Sequence, residues 1–472
     1  MTRPMRPVLF GLLLVCATLA YGAQAPKYIF LFIGDGMGFN HVEASQIYAE
    51  KVGTDTGERS LLFPTFPVMT QVCTRSASHL ITCSSAAATA LATGEKTTNY
   101  VIGMDAKKQY GLKSLARQLK GKGYKIGIIT SASIDHATPG GFYASQPDRS
   151  MYYEIGVDAA NSGFDFFGGA GLLQPRNKRN ASAPCLYDLF CQKGYTMHRG
   201  MDAYNRSHVK DKVLLFPTDT VSGSLKYALD RSEKDLGLPD LTKACLDNFA
   251  ETAKKGFFMM VEGGKIDWAA HAHDAATVVT ETIDFDQCIR LAYEFYKKHP
   301  DETLILVTAD HETGGLGLGN SGTNLNIELL KYQQCSQGAL TNAMRKMKIA
   351  EAVPSWEEMK SFLKKKLGFW EQITITPHEE LELLICYEQQ SFLKKKSKDI
   401  VSLYAKDEPL AVAAVALLDK KASIGWTTKS HTGAPVPLYV VGKQAHLYSG
   451  RRDNTDMANI LRRLFNLKQW EE

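Results

Sequence analysis

No C-x-x-C pair occurs among the nine cysteines, at positions 16, 73, 83, 185, 191, 245, 288, 335 and 386. That absence argues against a thiol-redox centre and a thiolate zinc site. Charge of one sign is scarce as well. The 55 Lys and Arg stand against 50 Asp and Glu, a formal balance of +5, which makes no case for nucleic acid and only a weak one for anionic partners. Beyond residue 20, no apolar run reaches the roughly 20 residues a membrane helix needs. The closing FNLKQWEE is polar, so no C-terminal lipid-anchor signal is expected there.

What is present is an ordinary globular balance. Apolar residues make up 44% and charged residues 22% of 472, enough for one large core or two to three domains. The opening MTRPMRPVLFGLLLVCATLAYGAQAPK carries Arg3 and Arg6, an apolar run from Val8 to about Ala20, and then Ala23-Gln24-Ala25. This pattern reads as a secretory signal over 1–25. The protein is therefore expected to be exported, to a periplasm or the extracellular space. Export permits disulfides, and Cys185 with Cys191 is the preferred pair.

Five runs read as buried parallel strands: KYIFLFIGDG from Lys27, KIGIITSAS from Lys125, FFMMVEGG from Phe257, TLILVTADH from Thr303 and PLYVVG from Pro437. Helical patterns lie between them, over 111–122 and 277–299. The alternation predicts an α/β fold: a large, mostly parallel central sheet with helices on both faces. The stretch 320–426 reads differently, as a mostly helical insertion rich in Lys and Glu. It holds two copies of SFLKKK, at Ser361 and Ser391, best read as amphipathic helices with solvated lysines.

Ligands of such sheets bind beyond the carboxyl ends of the strands. Asp35, Glu262, Asp310 and His311 fall there. Asp267 and His271, four apart, share one face of a helix, and His431 precedes the last strand. Each is a weak signal alone. Together they gather nitrogen and carboxylate donors without thiolates, which suits catalytic zinc, while carboxylate with hydroxyl suits magnesium. The stretch ITCSSAAATALATG, from Ile81 to Gly94, admits two readings. Its small residues are either a tight helix contact or a helix start that lets the backbone approach an anionic ligand.

Six ordered motifs carry a resemblance: IGDGMG, TCSSAAATALATG, DHATPGGFYASQPDR, VEGGKID followed by His271, VTADH and HTG. Over most of the chain beyond residue 25, the sequence resembles the alkaline phosphatase family. The resemblance implies a single catalytic domain over 26–472 that hydrolyses small phosphate monoesters through a phosphoserine. Ser84 aligns with the nucleophile, and its spacing to Thr89 favours it over Ser85. Asp267, His271 and His431 match the ligands of a first zinc. Asp35, Asp310 and His311 match those of a second. Asp35, Thr138 and Glu262 match a magnesium site, and Arg149 matches the phosphate clamp. The family is often dimeric, which makes a homodimer an expectation here.

Three positions depart from the best-known bacterial pattern. Cys83 and His136 replace aspartates, and Trp268 replaces a lysine or histidine that reaches phosphate through water. Cys83 is expected to lie near Arg149 and to hold it less firmly than an aspartate would. His273 is expected to sit beside the zinc helix without ligating. The rival readings are a phosphodiesterase of the same superfamily and a secreted metal- or phosphate-binding protein without catalysis. Retention of Thr138, Glu262, Ser84 and Arg149 argues against both. A sulfatase would need x-P-x-R after its Cys or Ser, and Cys83 is followed by Ser-Ser-Ala-Ala.

Overall fold

The computed structural model describes residues 24–209, 211–219, 223–320, 322–347, 354–389 and 407–468. All but the last two residues of the expected signal, and the second SFLKKK at Ser391, lie outside them.

The strands are β1 (Tyr28–Gly34), β2 (Val68–Cys73), β3 (Lys125–Thr130), β4 (Phe166–Gly168), β5 (Thr196–Arg199), β6 (Val213–Phe216), β7 (Phe257–Gly263), β8 (Thr303–Thr308), β9 (Glu312–Thr313), β10 (Gly317–Leu318), β11 (Ile424–Gly425), β12 (His431–Thr432), β13 (Val436–Gly442) and β14 (Arg452–Asp453). Ten of them form one sheet in the order β14-β2-β13-β8-β1-β7-β3-β4-β6-β5. Its central strands β8, β1, β7 and β3 are parallel and buried almost throughout, so their sequences are continuous apolar runs.

The helices are α1 (Phe39–Val52), α2 (Ser84–Thr93), α3 (Leu115–Gly121), α4 (Ala137–Gly140), α5 (Tyr152–Asn161), α6 (Leu186–Gln192), α7 (Met201–Asn205), α8 (Leu238–Thr252), α9 (Lys265–Ala272), α10 (Ala275–Lys298), α11 (Gln337–Met347), α12 (Trp356–Leu367), α13 (Pro377–Glu388), α14 (Pro409–Lys421) and α15 (Asp456–Leu464). Alternation along β7 shows both sheet faces covered. Phe257 packs against Phe249 of α8 and Phe295 of α10. The next residue, Phe258, faces Phe142 beyond α4 on the other side. The pattern over 111–122 becomes helical only at Leu115, because Ser114 caps the helix by accepting from the Arg117 N–H. No helix among the described residues is long and apolar enough to cross a membrane.

Within 320–426, α12 buries Met359, Leu363 and Leu367 along one stripe. Its Lys360 pairs with Glu380 and its Lys364 with Glu371, as a solvated amphipathic face does.

Two expectations are corrected. The run PLYVVG does not form a parallel strand: β13 is antiparallel to both β2 and β8. The chain enters β13 from β12, which pairs with β9 just past the carboxyl end of β8, so from there it must run back down the sheet. Cys185 and Cys191 do not pair, and all eight described cysteines are free. Cys185 is the residue before α6 and Cys191 lies six positions along it. Six residues of helix rise about 9 Å, beyond the roughly 7 Å Cα separation a disulfide spans.

Candidate active site

Three neighbouring strands, β8, β1 and β7, deliver the acidic groups to one edge, and β3 beside them leads to a hydroxyl. Asp35 follows β1, Glu262 is the penultimate residue of β7, and Asp310 and His311 follow β8. Thr138 stands on α4, reached from the end of β3. Asp267 and His271 stand on α9, which begins directly after β7. The tight entry to that edge needs Gly36, whose φ is +72° and whose Cβ, if present, would lie 2.8 Å from the Asp267 Cα.

The donor atoms gather in two groups: Asp267 with His311 and a half-buried His431, and the fully buried Asp35, Asp310 and His311. In the first of these His311 takes the place that the resemblance assigned to His271. His271 remains adjacent, its Nε2 3.3 Å from Asp267 Oδ1. His431 Nε2 lies 3.8 Å from the same oxygen. The rings of His311 and His431 are stacked at 3.5 Å.

Each histidine has its other nitrogen engaged, which sets the tautomer. His271 Nδ1 is 2.6 Å from the Lys429 carbonyl and His431 Nδ1 is 2.9 Å from the Thr82 carbonyl. Carbonyls only accept, so both Nδ1 atoms carry protons and it is the two Nε2 atoms that face the cluster, each offering a lone pair once deprotonated. Thr313 Oγ1 donates its one proton to Asp267 Oδ1 at 2.6 Å and therefore accepts from His311 Nδ1 at 3.2 Å. His311 Nε2 is thus an acceptor too. It is placed 3.4 Å from Asp35 and 3.3 Å from Asp310.

Ser84 opens α2 and points its Oγ at His311 Nε2, 3.2 Å away. Ser85 turns the other way, its Oγ 3.1 Å from Cys83 Sγ. Cys83 Sγ also accepts from the Tyr100 N–H at 3.0 Å, and the Tyr100 carbonyl accepts from the Arg149 N–H at 2.7 Å. Cys83 thus connects with Arg149 through the peptide groups of Tyr100. The positive charge of Arg149 bears on His136, His311 and His431 and lowers all three.

The small residues of α2 are explained by packing. All ten residues of α2, Leu91 among them, are buried, and a Cβ on Gly141, just past α4, would lie 2.9 Å from the Ala88 Cβ. The ladder from Ala86 onward is a close helix contact that brings α4, with Thr138, against α2.

Four carboxylates share this buried space, and their electrostatics reflect it. Burial, then the charge of Asp310, holds the Asp35 carboxyl well above the carboxylate range. Asp310 is pushed up to about 7 by burial and then by Asp267. Glu262 also rises to about 7, burial outweighing the hydroxyls of Thr130 and Thr138. Asp267 is held down instead: burial would raise it, but the bond to His271 and the surrounding histidines outweigh that. His271 rises to about 8, its bond to Asp267 overcoming burial. Three buried carboxylate oxygens of the cluster have no hydrogen-bond partner among the described residues: Asp35 Oδ1, Asp310 Oδ2 and Glu262 Oε1. Unpaired oxygens so buried are costly unless cations meet them. Oxygen and imidazole donors without thiolate fit zinc and magnesium.

Thr138 Oγ1 reaches Asp35 Oδ2 at 3.5 Å. Thr130, not anticipated from the sequence, donates to Glu262 Oε2. Its signal was a hydroxyl ending an apolar strand. Thr313 was missed as well, although it stands two residues past His311. His136 is buried with its ring edge-on to Trp268 at 5.8 Å, and its Nδ1 has no partner among the described residues. Burial and then Arg149 lower it to about 3. His273 does not enter the cluster; its Nε2 meets the Thr428 carbonyl at 2.7 Å.

The family model described as alkaline phosphatase matches residues 26–165 and 196–467. Alkaline phosphatase 4 of Bacillus subtilis is 31% identical over 454 residues, covering 92% of this chain and 88% of its own length. The repressible alkaline phosphatase of Saccharomyces cerevisiae is 25% identical over 511 residues, covering 98% and 86%. Among solved structures, the cold-active alkaline phosphatase of a psychrophilic Shewanella aligns with a TM-score of 0.76 at 28% identity, covering 93% of this chain and 99% of that one. With the family model matched along most of its length, this chain belongs to the alkaline phosphatase family and is a phosphatase.

Proposed function

We propose that the protein is an exported hydrolase of small phosphate monoesters that works through a phosphoserine on Ser84, at a site of two zinc ions and one magnesium. The catalytic unit is 26–472, with 320–426 as its helical insertion, and a homodimer is the proposed assembly. The observation that carries this reading is Ser84 Oγ, at the start of a buried helix, 3.2 Å from His311 Nε2 and beside carboxylate oxygens that lack partners.

Asp267, His271 and His431 would hold the first zinc, with His311 close enough to share. Asp35, Asp310 and His311 would hold the second. Asp35, Thr138 and Glu262 would hold magnesium. Metal bound there supplies Lewis acidity, lowering the pKa of a hydroxyl or water and drawing charge from the ester oxygens. Uncatalysed monoester hydrolysis is so slow that on the order of 20 kcal/mol must be found, mostly by positioning and charge.

The chain's own groups do that positioning. The N–H groups at the start of α2 and the Arg149 fork bind the dianion. Ser84 Oγ gives up its proton and forms a bond to phosphorus in line with the departing ester oxygen, whose bond to phosphorus breaks and which leaves as the alcohol on gaining a proton. Water then attacks the same phosphorus, returns the hydroxyl to Ser84 and releases phosphate. Ser85, turned to Cys83, is outside this line.

Ser84→Ala tests the reading. Labelled phosphate trapped on the active wild type in acid is expected on Ser84 and is expected to vanish in the variant, which keeps its metals. A chromogenic monoester should turn over far faster than the matching diester, and a chelator should stop it. Label on Ser85, or none in an active wild type, would refute the assignment. Full activity after verified metal removal would refute the metal site.

A further inference from the structure

His273 ends α9 with φ +58°, a left-handed conformation in which histidine is one of the better tolerated side chains. Its N–H reaches back to the Ala269 and Ala270 carbonyls. The reversal carries its ring to the segment 426–430. There Nε2 lies 2.7 Å from the Thr428 carbonyl and must donate to it. The indole of Trp426 stacks on the same ring at 5.0 Å with only 3° between the planes. Trp426 Nε1 in turn donates at 2.8 Å to Asp419 Oδ2. Asp419 is buried on α14, and the same oxygen accepts from the Ala275 N–H at the start of α10 at 3.4 Å.

The segment is held from the other side by Gly314. Its carbonyl accepts from the Thr427 and Thr428 N–H groups at 2.9 and 3.1 Å, and its N–H donates to the Ser430 carbonyl at 3.0 Å. A Cβ on Gly314 would lie 2.6 Å from Trp426 Cε3, so the indole fills the space that a side chain there would need. The carbonyl after Thr428, that of Lys429, accepts from His271 Nδ1. Two residues later stands His431. By contrast, Asp35 and Asp310 are carried by the ends of β1 and β8, and His311 takes its tautomer from Thr313.

We infer that His273, Trp426 and Asp419 are positioning residues for His271 and His431: they lock the 426–430 segment so that the Lys429 carbonyl orients one imidazole and the chain delivers the other. They touch neither substrate nor the reacting atoms. The inference rests on the metal-dependent reading above, and it assigns to the helical stretch carrying α14 a part in keeping the first zinc but not the second.

The test uses the zinc-loaded full chain and His273→Asn. Asparagine also tolerates the left-handed turn, but its shorter side chain cannot reach the Thr428 carbonyl. Zinc per chain is followed during timed dialysis against a chelator, and melting of the metal-free forms is recorded alongside. One zinc is expected to leave roughly 10–100-fold faster than in the wild type. The other should leave at the wild-type rate, the metal-free melting temperatures should coincide, and excess zinc should restore kcat. Trp426→Phe, which keeps a ring but loses the indole N–H, should show the same selective loss to a smaller degree. Wild-type zinc release from both variants would overturn the inference. So would faster release of both ions with a matching fall in metal-free melting, because that is general loosening. A wild type that holds no zinc would remove the metal-dependent reading itself, and this inference with it.

Discussion

Stripping the metals should make the stability of this protein fall as pH rises from about 6.5 to about 8, and the size of the fall follows from the buried cluster. Asp310 and Glu262 each hold a proton to about pH 7 when folded. A carboxyl whose folded pKa exceeds its unfolded one binds its proton more tightly in the native state. Stability therefore drains as pH rises toward the folded value. Between about pH 6.5 and 7 each contributes about 0.7 kcal/mol, at about 1.4 kcal/mol per pH unit. His271, raised from 6.5 to about 8, acts in the same direction. What it contributes is complete below the lower value and is lost as pH rises through the higher. Its side chain is 36% exposed, so solvent halves its share to about 1 kcal/mol. His311 and His431 are lowered by burial, so their contributions have stopped changing above about pH 6.5. Asp35, raised by burial and then by Asp310, acts in the same direction. The expected loss is about 2 kcal/mol, or about 2 °C in Tm for a chain of this size. With metals saturating, the same groups stay deprotonated at both pH values and the trend should disappear. Groups elsewhere titrate alike in both forms, so the quantity to follow is the Tm of the metal-free protein minus that of the loaded one, by calorimetry at one scan rate. A difference that is flat, or that narrows toward pH 8, would refute the electrostatic account of the cluster.

Replacing Ala88 by Leu should overfill the contact with Gly141, costing about 1–3 kcal/mol. Because α4 carries Thr138, it should also weaken retention of the magnesium proposed there; a melt unchanged from wild type would show the contact to be slack. Cys83→Asp retains an acceptor for the Tyr100 N–H and adds a charge beside the peptide that binds the Arg149 N–H. It should tighten inhibition by phosphate while kcat falls or stays level, as steady-state kinetics would show, and weaker phosphate inhibition with metals intact would count against it.

The sheet and its functional edge were legible because burial and chemistry leave opposite marks on a sequence. β1, β7 and β8 are covered on both faces and so are written almost wholly in apolar residues. A carboxylate or imidazole standing at the end of such a run is conspicuous, which is how Asp35, Glu262, Asp310 and His311 could be picked out. Short strands such as β4, three residues long, left no comparable run. The direction of β13 was also hidden. Apolar content says that a strand is buried but not which way it runs, and the reversal comes from where β12 sits. The ladder of small residues in α2 had two sound readings from sequence. Only the approach of Gly141 to Ala88 shows that helix packing accounts for the residues past Ser85.

What escaped sequence reasoning most completely was the set of groups that orient the histidines. His271 is held by the carbonyl of Lys429, His273 by that of Thr428 and His431 by that of Thr82. A backbone carbonyl is the same whatever side chain it carries, so none of these three positions is marked in the sequence by residue type. Their selectivity comes instead from how the segment is folded, and that depends on residues that look like ordinary core: Trp426, Asp419 and the glycine at 314. A side-chain hydroxyl in the same task, Thr313 toward His311, is in principle readable because it lies on the strand that follows its histidine. The ligands of such a site are therefore easier to read than the machinery that aims them. The difference is physical: ligation needs particular atoms at strand ends, whereas aiming needs only a peptide group held in the right place.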